Sequence, residues 1–84
     1  MVNEVKVRSY VLAGNHTQFQ TFVREIGKLE PSMTHYVSNE HVLRGQRGNT
    51  LYLFGTWYAR PDVDQIMLMA RTREMSIVEV EDNR

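Results

Sequence analysis

Two stretches of this sequence are apolar without interruption, and each runs straight into a glycine. They are Tyr10-Val11-Leu12-Ala13 before Gly14 and Leu51-Tyr52-Leu53-Phe54 before Gly55. Side chains alternate across a strand, so a strand covered on one face alternates apolar with polar residues. A strand that is apolar throughout has to be covered on both faces. Each stretch also leads into a helical pattern, which makes two strand–glycine–helix units. This favours a central, parallel pairing of residues 10–13 with 51–54.

The first helix has the clearest signals. Asn15 suits its N-cap, and Gln18 stands three residues on, the spacing of a capping box. Phe19, Phe22, Val23 and Ile26 follow at i, i+3, i+4 and i+7, which is one helical face, and Gly27 or Pro31 ends it. The second helix opens at Pro61, with Asp62 and Gln65 as a second cap pair. It turns Val63, Ile66, Met67 and Ala70 inward. Residues 34–38 and 76–81 read as strands of mixed polarity, which suits the edges of a sheet.

The element order is therefore β-α-β-loop-β-α-β, and two architectures fit it. One is a small three-layer α/β domain, with a four-stranded, mainly parallel sheet of order 2-1-3-4 and helices on both faces. The other is a ferredoxin-like βαββαβ sheet in which residues 41–54 form an antiparallel hairpin. That sheet leaves one face open, so the unbroken apolar strands favour the first.

Composition narrows the class. The chain has 84 residues, which suits a single domain spanning 1–84, and 42% of them are apolar. A chain of this length buries only ~60–65% of its unfolded surface, so its core is thin. There is no cysteine, which excludes a disulfide framework and fits a reducing compartment. No apolar run reaches the ~18 residues of a membrane span, and the start lacks the apolar centre of a signal peptide. The expectation is a cytoplasmic protein without a membrane partner. Ten basic and ten acidic residues cancel, so no global charge points to nucleic acid. Locally, Arg44, Arg47 and Arg60 gather in the middle of the chain, while Glu79, Glu81 and Asp82 gather near its end.

The segments YVLAGN, YVS, LRG and GTWYARPD, in this order, resemble a group of small accessory proteins encoded by actinobacterial phages. The resemblance spans roughly residues 7 to 75, and its motifs are short. It implies a phage accessory protein in the host cytoplasm with a small Rossmann-like fold. It assigns no catalytic residue.

Candidate sites follow from position. The crevice outside the carboxyl ends of the two central strands is where open α/β sheets bind ligands. Asn15, Ser38, Asn39 and Thr56 would border it, with Trp57, Arg60 and the crossover arginines Arg44 and Arg47. Guanidinium forks and a helix N-terminus are suited to phosphate or carboxylate. The same residues serve equally as a helix cap, a solvated turn and core packing. There is no GxGxxG, no GK[ST] ending and no HExxH. His16, His35 and His41 lack ligand spacing, and no catalytic constellation is readable. No metal or cofactor is expected. Leu68 falls off the inward face of the second helix, and with Met69 and Met75 it suggests an oligomer or partner surface.

The functional expectation is a non-enzymatic protein that works by contact with a host or phage protein, or by self-association. The alternative is nucleic-acid or nucleotide binding through the Arg/Trp crevice.

Overall fold

A computed structural model describes residues 8–27, 31–44 and 49–80. Four strands form one sheet: β1 (Ser9–Ala13), β2 (Thr34–Tyr36), β3 (Thr50–Phe54) and β4 (Ser76–Glu79). Their order is β2-β1-β3-β4, and every neighbouring pair is parallel. The two unbroken apolar strands are adjacent and central, with Tyr10 opposite Leu51 and Ala13 opposite Phe54. Residues 41–43 belong to a 3₁₀ turn, Glu40–Leu43, so no hairpin strand runs beside β3 there. That removes the ferredoxin-like alternative.

The register shows why both strands are apolar. Tyr10, Leu12, Leu51 and Leu53 point to one face, into a core shared with Val37, Leu43, Ile66, Ala70 and Met75. Helix α2 (Val63–Thr72) and the 40–43 turn cover that face. Val11, Ala13 and Phe54 point to the other face, against Phe22. There the cover is α1 (His16–Thr21) with the turn that continues it. Phe22 meets the rings of Tyr52 and Phe54 at 5.4 and 5.3 Å, and Phe19 meets Tyr36 at 5.4 Å. A helix about 10 Å wide spans roughly two strand spacings of ~4.8 Å. The outer strand β4 is left partly bare on this face, and Val78 is 42% exposed.

Boundaries differ from the sequence reading at four elements, with β4 ending at Glu79 rather than residue 81 and α2 starting at Val63 rather than Pro61. The first helix is α-helical only to Thr21, and Phe22–Ile26 form a π turn closed by Gly27 N–H to the Phe22 carbonyl at 2.7 Å. A π turn adds a residue per turn without changing the residue types it uses, so apolar spacing cannot announce it. β2 ends at Tyr36 rather than residue 38, although Val37 N–H still reaches the Val11 carbonyl at 3.0 Å. The early alternation at Val5 and Val7 lies outside the described residues.

Candidate functional site

β1 leads to β2 on one side and β3 leads to β4 on the other, so the crevice expected of an α/β sheet lies between β1 and β3. Gly14 and Gly55 end these two strands there. The crevice is filled from within. Gln18, in the first turn of α1, accepts the Gly14 N–H at 2.8 Å and the Thr56 N–H at 3.0 Å through its side-chain oxygen. Its amide nitrogen donates to Thr56 Oγ1 at 3.1 Å. The strand-end N–H groups of Gly14 and Thr56 are thus already bonded to an uncharged amide. Asn15 caps α1 as expected, taking the Gln18 N–H at 2.9 Å. Gln18 spends its own acceptor across the sheet instead of completing a capping box.

Both glycines are set by this plug. Gly55 has φ +66, a conformation costly for residues with a Cβ, and a Cβ there would run into the Gln18 amide oxygen. A Cβ at Gly14 would run into Thr56 Oγ1. Close approach of Gln18 and Thr56 accounts for the two glycines without any ligand.

Arg60 is likewise occupied. Its Nη1 donates to the Val37 carbonyl at 2.5 Å and the Ala13 carbonyl at 3.2 Å. Its Nη2 donates to the Ser38 carbonyl at 2.8 Å and to Asp62 Oδ2 at 3.0 Å, and Nε donates to Asp62 Oδ1 at 3.1 Å. A guanidinium has five N–H donors in a fixed fork, and all five are used. The Tyr36 ring lies 5.8 Å from its central carbon, and the side chain is only 10% exposed. Arg60 is thus a clamp that closes the carboxyl ends of β1 and β2, not an arm over a crevice. Asp62 stands at the N-cap of α2 without a side-chain cap bond, because its carboxylate faces Arg60. The expected Asp62–Gln65 cap pair is replaced by this ion pair.

The other expected ligand groups scatter. Asn39 caps the 40–43 turn through the His41 N–H at 2.9 Å. Ser38 contributes its backbone carbonyl to Arg60, and Arg44 is exposed. Arg47 lies outside the described residues. A shallow hollow of about 470 Å³ beside the clamp is lined in part by Glu40, Asp62 and Arg60. Two carboxylates face one guanidinium that is already paired, which does not suit an anion. His16 packs on Phe19 and Tyr36, and His35 stacks on Tyr10. Among the described residues no group of three or more His, Cys, Asp or Glu is placed to hold a metal ion.

A second surface lies on the outer side of α2. The 3₁₀ turn Trp57–Ala59 and α2 border an open groove of about 550 Å³. Trp57 packs partly onto the core, and Tyr58 meets it edge-on at 5.7 Å while remaining 61% exposed. Leu68 is 66% exposed, and Val63 and Met67 form the floor between them. Of the methionines grouped with Leu68, Met69 is half-buried against the core. Met75 is fully in the core, because the helix has ended before it. Glu74 takes φ +58 and Met75 N–H returns to the Ala70 carbonyl at 3.0 Å, folding its side chain inward. Tyr58, not Met75, completes the exposed apolar group. Its signal in sequence was its place beside Trp57 in a turn that can bury only one of two adjacent aromatics.

Among the described residues no helix is long and apolar enough to cross a membrane. Compared with known proteins, the chain matches no family model, no curated protein and no solved structure.

Proposed function

We propose that this chain is a non-enzymatic binding protein that works by protein–protein contact through the groove between the Trp57–Ala59 turn and α2. The observation that carries this reading is the exposure of Leu68 and Tyr58 on either side of an apolar floor. Large apolar side chains grouped on one open surface, one of them an aromatic anchor, are what partner surfaces use. The polar groups at the strand ends are spent on one another, which leaves the nucleotide or nucleic-acid reading without Arg60 and without the crevice N–H groups. The resemblance to phage accessory proteins supports a setting in a host cytoplasm.

A photo-crosslinking residue at Tyr58 tests the reading in cells that make the protein. An adduct heavier than the 9.9 kDa chain is expected from position 58 and not from Gln20, an exposed residue of α1. No adduct from position 58 overturns it.

A further inference from the structure

The helix side of this groove carries a pattern that specifies its occupant. Asp64, Met67, Leu68 and Arg71 stand at i, i+3, i+4 and i+7 of α2 and together line the groove. That spacing makes one stripe along a helix. It is acidic at its N-terminal end, apolar in the middle and basic at its C-terminal end. Its midpoint falls between Met67 and Leu68, halfway between the charges. A twofold axis at that point, perpendicular to the helix, turns α2 end for end. It sets Asp64 of each copy opposite Arg71 of the other, and brings Met67 of each copy level with Leu68 of the other. Seven residues rise about 10.5 Å, so each charge sits about 5 Å from the axis with its opposite at the same level.

Resting on the docking reading above, we propose that the occupant is a second copy of this chain, with α2 packed antiparallel on α2 and Trp57 and Tyr58 at the rim. Asp64 and Arg71 also complement the helix's own dipole. The dipole does not call for an exposed leucine on the same stripe between them. A stripe with one sign at both ends would repel its own copy, whereas this one is self-complementary. Ten residues of helix make a small contact, so association is weak and concentration-dependent.

Sedimentation equilibrium of the full chain, from micromolar to millimolar concentration, tests this. The wild-type average mass should rise from 9.9 kDa towards twice that value. D64R and R71D should each weaken association roughly tenfold, since each places like charges at both ends of the stripe. An equimolar mixture of the two should recover it, because opposite charges then face each other at both ends. Circular dichroism checks that both variants stay folded. A wild type that is monomeric throughout overturns the proposal, as does a dimer that both variants form as readily, or a mixture that fails to recover. A monomeric wild type whose Tyr58 probe still forms an adduct with another protein removes the second copy and leaves the docking reading standing. A monomeric wild type with no adduct of any kind removes both.

Discussion

The side-chain oxygen of Gln18 accepts the backbone N–H of Thr56 at 3.0 Å, which ties the start of α1 to the end of β3 across 38 residues of chain. The same oxygen holds Gly14 N–H, so one amide fastens the carboxyl ends of both central strands. Gln18→Ala leaves these two donors without their partner and should cost about 1–3 kcal/mol. Gln18→Glu keeps the acceptor and loses only the donor to Thr56 Oγ1, so it should cost less. Urea denaturation of the two variants checks the order, and a Glu variant weaker than the Ala variant would contradict it.

Gly55 tests the same contact from the other side. Gly55→Ala should cost about 1–2 kcal/mol for its backbone conformation alone, and more for displacing the Gln18 amide. In a double-mutant cycle with Gln18→Ala, the losses should fall short of additive, because the second change removes what the new methyl meets. Additive losses would mean that the strain is purely backbone.

How much of this was legible in the sequence depends on whether the cause is local. The sheet order was, because unbroken apolar strands such as 10–13 can lie only where both faces are covered. The exposure of Leu68 was, since 100° per residue carries it away from Ile66 and Ala70. Met75 was not, because helical phase stops at the chain reversal through Glu74. The roles of Gln18 and Arg60 were hidden for another reason. Each depends on carbonyl or N–H groups at the ends of distant strands, and a polar residue near a strand end looks the same whether it awaits a ligand or already holds the backbone.

Arg60 provides a sharper case. Three strand-end carbonyls and the Asp62 carboxylate share one guanidinium. Arg60→Lys keeps the charge but offers three donors from one point, so it cannot serve acceptors spread around a planar fork. Both Arg60→Lys and Arg60→Ala should therefore destabilise by about 3 kcal/mol or more, with the lysine recovering little. Chemical denaturation reads this directly. A lysine variant as stable as wild type would reduce the clamp to simple charge pairing.

Phe22 and Leu68 separate the fold from the proposed surface. Phe22 is 1% exposed and fills the space between α1 and the rings of Tyr52 and Phe54. Phe22→Ala should cost about 3–5 kcal/mol, a large part of the roughly 5–15 kcal/mol that holds a domain together. Leu68 touches water over most of its surface, so Leu68→Lys should stay within about 0.5 kcal/mol of wild type in dilute solution. Concentration then distinguishes them further. If copies of the chain associate through this leucine, the wild-type melting temperature rises with protein concentration. That of the Leu68→Lys protein should stay constant, while Phe22→Ala should lower the whole curve and keep its slope. Scanning calorimetry over a range of concentrations measures all three. A Leu68→Lys protein that melts as low as Phe22→Ala in dilute solution would mean that Leu68 faces the core and α2 is rotated about its axis.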